Sequence, residues 1–270
     1  MGGRELKTKP TVLKLGGSAI TYKAHPQRAN MRIIDRLAKE IEDAKTSRLI
    51  IVHGGGSFGH PLAKKYAINE GFHNPAQRLG FAETHEAMTV LNNLIMKALI
   101  RHNIPAVAVS PSSFILTKQG RIQELDTNII TRMQETGFVP VLYGDTVLDL
   151  EKGFAILSGD QLTARLAIEL GAERIIIGVD VDGLYTADPK EDSSAKRLQR
   201  VTARELEKFH YGTKTLKVTD VTGGMHGKII ELIPAIEHGV RAVIVNAKKH
   251  DTIRKALCNE RVAGTLIEKE

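Results

Sequence analysis

The sequence predicts an α/β fold with a largely parallel central sheet and helices on both of its faces. Short, mainly apolar segments alternate along the chain with segments in which apolar residues recur every three or four positions. The first pattern is typical of strands buried on both faces, and the second of helices that cover a sheet. Glycine-rich segments directly follow several of the strands, which is where open α/β sheets bind their ligands.

The first elements form a βαβ unit. Residues 11–15 and 49–52 are mainly apolar and predict two buried strands. Between them, apolar residues recur at helical spacing, so residues from about 30 to 46 are predicted to form an amphipathic helix. This connection predicts parallel strands with a right-handed crossover. Lys14 lies inside the first strand, where it either reaches solvent at the strand end or is paired.

The rest of the chain continues the alternation. Further strands are predicted at residues 106–109, 139–143, 174–179, 242–246 and 264–267. Further helices are predicted at residues 81–102, 127–136, 158–170 and 225–238. Residues 146–157 are predicted to form a hairpin, and residues 71–80 a loop. The charged segment 191–214 has weak periodicity and is predicted to be a mobile excursion, that is, a long flexible loop.

The charge pattern favours small anionic ligands. The chain has 38 Lys and Arg against 31 Asp and Glu, a formal net charge of +7. The lysines are spread along the chain, and aromatic residues make up only 4%. Single-stranded nucleic acid usually stacks on aromatic side chains, so a nucleic-acid partner is not expected.

Cys258 is the only cysteine, which excludes an intrachain disulfide and a zinc site built from several cysteines. The first residues contain no apolar segment of the kind that a secretory signal peptide needs. No apolar segment approaches the roughly 18 residues that a membrane-spanning helix needs. We therefore expect a cytoplasmic protein that does not bind membranes.

Three glycine-rich turns follow strands or precede a helix, at residues 16–18, 54–56 and 223–224. None fits the P-loop or the dinucleotide-binding pattern. Lysines 14, 23 and 228 lie beside these turns, which suggests a clamp for a polyphosphate. Phosphoryl transfer needs such cations and N–H donors around the transferring group, together with in-line placement of the acceptor.

Five short motifs occur in order along the chain. They are Lys14-Leu15-Gly16-Gly17-Ser18, His53-Gly54-Gly55-Gly56, Ser158-Gly159-Asp160-Gln161-Leu162-Thr163-Ala164, Asp180-Val181-Asp182-Gly183-Leu184-Tyr185 and Gly223-Gly224-Met225-x-x-Lys228. This set resembles that of the amino acid kinase superfamily, whose fold is a single three-layer αβα sandwich. The resemblance covers residues 11–267 and implies one domain over residues 1–270. Its acceptor-binding part would span about 11–160, and its nucleotide-binding part about 161–267.

Within that superfamily, Ser57-Phe58-Gly59-His60 and Ile20-Thr21-x-Lys23 are most similar to the isopentenyl phosphate kinases. The resemblance implies ATP-dependent phosphorylation of isopentenyl phosphate to isopentenyl diphosphate, in a mevalonate-type route to isoprenoid precursors. It also implies Mg²⁺ held mainly by the nucleotide phosphates, with no metal ligand from the protein. A homodimer is the assembly that the resemblance implies.

The resemblance also implies roles for individual residues. Lys14 and Lys23 would contact the γ-phosphoryl group, His60 would hydrogen-bond the acceptor phosphate, and Asp160 would orient the lysines. The residues implied to bind the nucleotide are Lys14, Gly16, Gly17, Ser18, Gly56, Asp180, Tyr185, Gly224 and Lys228. Those implied to hold the acceptor phosphate are Gly55, His60 and Gly159.

The chemistry of a phosphate acceptor agrees with these residues. A phosphate monoester near pH 7 carries between one and two negative charges, so its attacking oxygen needs no general base. The lysines and a histidinium would neutralise the repulsion between the two anionic substrates. A carboxylate acceptor would more naturally recruit arginine. The helix at residues 81–102 is a candidate wall for the apolar tail of the acceptor.

Alternatives remain at the level of the sequence. Lys217 competes with Lys228 for the nucleotide, and Asp160 could be a simple helix cap. His53 is expected to be structural. The histidines expected on the surface are His25, His73, His85, His210 and His226.

Another kinase of the superfamily, acting on a phosphonate, a nucleotide or a carboxylate, is the first alternative function. A nucleotide-binding storage or sensor protein without turnover is the second.

Overall fold

The computed structural model describes residues 8–187, 194–210 and 225–270. The strands are β1 (Thr11–Leu15), β2 (Leu49–His53), β3 (Ala106–Ala108), β4 (Ile115–Lys118), β5 (Arg121–Leu125), β6 (Val139–Tyr143), β7 (Asp145–Asp149), β8 (Gly153–Leu157), β9 (Arg174–Val179), β10 (Arg200–Thr202), β11 (Arg241–Asn246) and β12 (Gly264–Glu268). The helices are α1 (Gly17–Ile20), α2 (Met31–Ala44), α3 (Gly56–Lys65), α4 (Ala76–Arg101), α5 (Asn128–Glu135), α6 (Gly159–Glu169), α7 (Ala203–His210), α8 (Met225–Glu237) and α9 (Thr252–Leu257).

The main sheet has eight strands in the order β10-β12-β11-β9-β1-β2-β6-β3. Strands β9, β1, β2 and β6 are parallel neighbours, and β11 pairs in parallel with β9. Among the described strands of this sheet, β12 is antiparallel to β11. All residues of β1 and β2 are buried, as the apolar segments predict for strands covered on both faces.

Two hydrophobic cores lie on opposite faces of this sheet, which confirms the predicted αβα sandwich. One core packs the sheet against α5, α6, α7 and α8, and the other packs it against α2, α3, α4 and α9. Side chains alternate between the faces of a strand, so Val12 and Lys14 point to the same face. Val12 belongs to the core that contains α6, and Lys14 is therefore directed towards that helix.

A second sheet of four strands has the order β5-β4-β7-β8. Its β7–β8 hairpin was predicted, and its β4–β5 hairpin was not. The carboxylate of Asp149 joins the two turns, because it accepts hydrogen bonds from the backbone N–H groups of Gly120 (2.7 Å) and Lys152 (2.8 Å). Gln161 holds the β4–β5 hairpin against α6, since its side chain accepts from the N–H of Ile122 (2.7 Å) and donates to the carbonyl of Gly120 (3.1 Å).

Two predicted loops were too long. The loop predicted at 71–80 ends at Pro75, and α4 begins at Ala76. The side chain of Gln77 accepts hydrogen bonds from the N–H groups of His73 and Asn74, which stabilises this early start.

The excursion predicted at 191–214 contains β10 and α7. Val201, Ala203 and Leu206 bury their side chains in the core, so a few apolar residues are enough to fold this charged segment. Residues 191–193 and 211–214 of the predicted excursion lie outside the described residues. No helix in the described ranges is both long and apolar enough to span a membrane.

Candidate active site

Most of the expected site residues line one cleft of about 490 Å³ at the carboxyl ends of the parallel strands. The expected residues in its lining are Lys14, Gly17, Ser18, Lys23, Gly55, Gly56, His60, Gly159, Asp160, Asp180 and Lys228. Gly16 lies behind this lining, where its N–H donates to the carbonyl of Gly178 at 2.7 Å. Tyr185 forms a single antiparallel bridge with Arg197 outside the lining.

Two glycine turns meet at the centre of the cleft. A Cβ atom on Gly17 would overlap the backbone nitrogen of Gly56, so the close approach of the two turns requires glycine there. Gly56 also has a φ of +49°, which favours glycine. The hydroxyl of Thr21 links the two turns, because it donates to the carbonyl of Gly17 (2.7 Å) and accepts from the N–H of Ser57 (3.1 Å).

The starts of two helices supply N–H donors to the cleft. Gly56 is the first residue of α3, and Gly159 is the first residue of α6. A helix leaves its first N–H groups without partners inside the helix, and these groups attract anions. The cap of α6 is Ser158, whose hydroxyl accepts from the N–H of Gln161 at 3.0 Å. Asp160 is therefore not the helix cap and can serve another purpose.

Asp160 lies between two lysines. The Nζ of Lys14 is 2.6 Å from its Oδ1, and the Nζ of Lys228 is 4.0 Å from its Oδ2. The Lys14 side chain is only 2% exposed, so this lysine is paired and does not reach solvent at the strand end. Gly224 and the competing Lys217 lie outside the described residues.

Lys23 contacts a different carboxylate. Its Nζ is 3.3 Å from the Oδ2 of Asp180, whose Oδ1 accepts a hydrogen bond of 2.7 Å from the hydroxyl of Ser18. Asp160 therefore contacts Lys14 and Lys228, whereas Lys23 is held by Asp180. Burial alone would raise the pKa of Asp180, but the Ser18 hydroxyl and the ammonium groups of Lys23 and Lys248 hold that pKa below its usual value.

His60 lies on α3 in the wall of the cleft. The protein that surrounds its ring lowers its pKa below the usual value, and the charges of Lys228 and Lys14 lower it further, while Asp160 opposes them. The ring is exposed to solvent inside the open cleft. A lowered pKa favours the neutral ring in the free protein, and a bound anion would favour the histidinium expected with the acceptor in place.

Part of the cleft lining is apolar. Its walls there include Ala63 from α3, Met88 from α4 and Ile156 from β8. A Cβ atom on Gly55 or on Gly59 would lie 3.0 Å or 2.9 Å from the Sδ of Met88, so these glycines let the thioether pack beneath the glycine turn. The helix expected at 81–102 does supply part of this wall.

Two groups near the cleft have partners that the sequence did not indicate. His85 was expected on the surface without a partner, but its Nδ1 is 2.8 Å from the Oδ2 of the buried Asp145. This hydrogen bond raises the pKa of His85, and burial raises the pKa of Asp145. The pair is 60 residues apart in sequence, so no local pattern could have revealed it. The other group is Lys248, whose Nζ lies 3.8 Å from Asp180.

His53 is structural, as predicted. It is fully buried, its Nε2 is 3.2 Å from the Oδ1 of Asn92, and its ring stacks on that of Tyr143. Burial lowers its pKa to about 4, so it remains neutral. Across the described part of the chain, no three histidine, cysteine or carboxylate side chains lie close enough together to hold a metal ion.

Comparisons with known proteins agree with this geometry. The sequence profile of the amino acid kinase family matches residues 9–246. The isopentenyl phosphate kinase of Methanothermobacter thermautotrophicus is 43% identical over 263 residues, which cover 95% of this chain and 98% of that protein. The isopentenyl phosphate kinase of Methanocaldococcus jannaschii is 38% identical and covers 96% of this chain and 98% of that protein. An X-ray structure of an isopentenyl phosphate kinase superimposes with a TM-score of 0.84 at 40% identity, covering 95% of this chain and 99% of that one.

Proposed function

The chain belongs to the amino acid kinase family, and we propose that it transfers the γ-phosphoryl group of ATP to isopentenyl phosphate. The products would be isopentenyl diphosphate and ADP. The observation that carries this proposal is the composition of the cleft, whose lining combines lysines, the N–H groups of two helix starts and apolar side chains. A phosphate with a short hydrocarbon tail matches both parts.

The transfer needs little covalent chemistry from the protein. An oxygen of the acceptor phosphate attacks the γ-phosphorus, and the bond from that phosphorus to the bridging oxygen of ADP breaks. The attacking oxygen is already ionised, so no proton has to be removed. Lys14 and Lys23 would stabilise the charge on the transferring group, and Asp160 would orient Lys14 through their 2.6 Å contact.

The acceptor phosphate would lie against the N–H groups of Gly55 and Gly159 and the imidazole of His60. Protonation of His60 would accompany its binding, because the incoming negative charge opposes the lysine charges that lower the pKa of the ring. The hydrocarbon tail would lie against Met88 and Ile156, where burial of its CH₂ groups contributes about 0.8 kcal/mol each.

The nucleotide would occupy the other end of the cleft. The residues proposed to bind it are Lys14, Gly16, Gly17, Ser18, Gly56, Asp180, Tyr185, Gly224 and Lys228. Mg²⁺ would be held mainly by the nucleotide phosphates, because the carboxylates in the cleft lining already have partners. Asp160 and Asp180 contact lysines, and Asp145 contacts His85. When bound, it would neutralise part of the phosphate charge.

The remaining proposals concern the whole protein. The acceptor-binding part would span residues from about 11 to 160, and the nucleotide-binding part residues from about 161 to 267. We also propose a homodimer that works in the cytoplasm and supplies isoprenoid precursors.

The test is a panel of acceptors. The purified protein receives ATP and Mg²⁺ together with isopentenyl phosphate, N-acetylglutamate, aspartate, UMP, carbamate or fosfomycin, and ADP release is measured. Isopentenyl phosphate is expected to give the highest kcat/KM, and Asp160→Asn should lose most of this activity. Turnover of another acceptor without isopentenyl phosphate would refute the proposal. Binding of ATP without ADP release for any acceptor would favour a storage or sensor protein.

A further inference from the structure

Two clusters of the same composition lie at the cleft, and all of their members except Lys248 belong to its lining. In the first, the carboxylate of Asp160 has Lys14 at 2.6 Å and Lys228 at 4.0 Å. In the second, the carboxylate of Asp180 has Lys23 at 3.3 Å and Lys248 at 3.8 Å. The proposed function assigns roles to every member of these clusters except Lys248.

The fold brings Lys248 to the nucleotide end of the cleft. Strands β11 and β9 are parallel neighbours, and their carboxyl ends are in register, with Asn246 opposite Val179. The N–H of Ala247 donates to the carbonyl of Val179 at 2.8 Å, which continues this pairing past the end of β11. Lys248 therefore follows β11 at the same edge of the sheet where Asp180 follows β9.

The backbone on both sides of Lys248 is fixed. The guanidinium of Arg36 donates to the carbonyl of Ala247 (2.5 Å) and to that of Lys249 (2.7 Å). The side-chain oxygen of Asn246 accepts from the N–H of Lys248 at 2.9 Å. The loop therefore presents the Lys248 side chain from a fixed position, while 43% of that side chain remains exposed.

The charges of the Asp180 cluster do not cancel. The ammonium groups of Lys23 and Lys248 share one carboxylate, that of Asp180. Asp180 also accepts a hydrogen bond from the Ser18 hydroxyl, which is neutral. The cluster thus carries a surplus positive charge at the end of the cleft proposed for the nucleotide phosphates. A lysine ammonium has three N–H donors, so one contact with Asp180 leaves Lys248 able to donate to another anion.

We propose that Lys248 binds the polyphosphate of the nucleotide, together with Lys23 and Ser18. This inference rests on the proposed function, because it assumes that ATP occupies this end of the cleft. Lys248 is a binding residue and does not reach the acceptor. Its removal should weaken the binding of ATP and ADP while leaving the acceptor KM unchanged.

Lys249 is a matched control for this proposal. It is the next residue of the same loop and has a similar exposure of 56%, but its Nζ pairs with Asp182 at 2.8 Å. Lys248→Ala and Lys249→Ala therefore remove the same charge from adjacent positions. A general effect of net charge would change both variants equally, whereas a direct contact would change only the first.

The experiment measures the binding of ATP, ADP and adenosine to the wild-type protein and to both variants by calorimetry, without acceptor. Lys248→Ala is expected to raise the Kd for ATP and ADP about three- to tenfold, because a half-exposed ion pair contributes less than a buried one. The Kd for adenosine should stay within about twofold, and Lys248→Arg should retain most of the affinity for ATP, since the charge is kept.

Three results would overturn the inference about Lys248 alone. These are unchanged affinity for ATP in Lys248→Ala, an equal loss of affinity in Lys249→Ala, and an equal loss of affinity for adenosine, which would indicate a structural role. A wild-type protein that binds neither ATP nor ADP would overturn both this inference and the proposed function. A wild-type protein that binds ATP but fails the acceptor panel would leave the contact with Lys248 supported.

Discussion

Replacement of Lys14 by methionine tests the centre of the site. Lys14→Met keeps the length and volume of a side chain that is 2% exposed, and it removes the charge that lies 2.6 Å from Asp160. Loss of a charge that stabilises a transition state typically lowers kcat by about 10²- to 10³-fold, or roughly 3–4 kcal/mol. We expect a loss in this range, with the KM for ATP changed much less than kcat.

The same variant should also lose stability. Breaking a fully buried ion pair costs about 3–5 kcal/mol, because the remaining charge stays without its partner. Asp160 is 15% exposed and has Lys228 at 4.0 Å, so part of this cost is relieved. We therefore expect the free energy of unfolding to fall by about 2–3 kcal/mol. A domain with about 5–15 kcal/mol of stability stays folded after such a loss, so activity can be measured.

A double variant separates the two effects. Lys14→Met combined with Asp160→Asn removes both charges, and such replacements are often neutral for stability. The double variant should recover at least about half of the lost stability while its kcat stays as low as that of Lys14→Met. Urea unfolding at an unchanged m-value gives the stabilities, and ADP release at saturating substrates gives kcat. Lys39→Met, at a lysine that is 54% exposed, is the control and should change neither quantity.

Two results would refute this reasoning. A loss of kcat below tenfold in Lys14→Met would show that Lys14 does not stabilise the transferring group. A double variant no more stable than Lys14→Met would show that the unpaired Asp160 carboxylate is not the source of the instability.

The other predictions concern the acceptor, the glycine turns and acid stability. His60→Ala should raise the KM for isopentenyl phosphate at least about tenfold and the KM for ATP less than about twofold, since a charged hydrogen bond contributes about 1.5–3 kcal/mol. In the wild type that KM should rise from pH 6 to pH 8, because the acceptor binds with protonation of His60 and this proton becomes harder to supply as the pH rises; steady-state kinetics should show a weaker rise in His60→Ala. Gly17→Ala should abolish ATP binding in calorimetry, because its Cβ would overlap the backbone of Gly56; a variant that binds ATP normally would contradict this. Asp149→Asn should lower the free energy of unfolding by about 1–3 kcal/mol near pH 7. Burial raises the pKa of Asp149, but the N–H donors of Gly120, Lys152 and Glu151 outweigh it and lower that pKa overall. The contribution is therefore present above the unfolded pKa of about 3.8 and is lost as the pH falls through the lower folded value, so the difference from wild type in urea unfolding should shrink below pH 4.

Local patterns were enough to predict seven of the eight strands of the main sheet, and β10 at its edge was missed. The residues of β1 and β2 are buried on both faces, and continuous apolar segments report that directly. The glycine turns could also be predicted, because consecutive glycines indicate a close approach of the backbone, whichever segment it approaches. The segment that each glycine turn contacts could not be predicted from local sequence. Lys14 and Asp160 are 146 residues apart, and they were linked only through the resemblance to a known motif set.

The β4–β5 hairpin has only a weak local signal in the sequence. Its turn consists of Gln119 and Gly120, with φ of 53° and 76°. Two consecutive residues with positive φ are typical of the tight turn that joins hairpin strands, and a glycine in the second position favours it. Glutamine is a weaker marker of this turn than asparagine. The attachment of the hairpin to Gln161 depends on the tertiary fold and had no local signal.

The order of strands in the sheet explains how one cleft can bring two anions together. Strands β11 and β9 carry Lys248 and Asp180 at their carboxyl ends, on the side proposed for the nucleotide. Strand β2 runs into the glycine turn proposed for the acceptor, on the other side of β1. Neighbouring strands lie about 4.8 Å apart, so the ends of β9 and β2 are each about one strand spacing from β1, and the end of β11 is about two spacings away.

Lys14 lies on that central strand, next to the turn that contacts Gly56. A single buried cation is therefore within reach of both proposed phosphate sites, and its ion pair with Asp160 fixes its position. Repulsion between the two substrates is greatest where they approach each other, so a charge at this place lowers the barrier more than one at either end. This argument predicts that kcat depends more strongly on Lys14 than on Lys228 or Lys248, a ranking that single-turnover rates of the three alanine variants at saturating ATP would test.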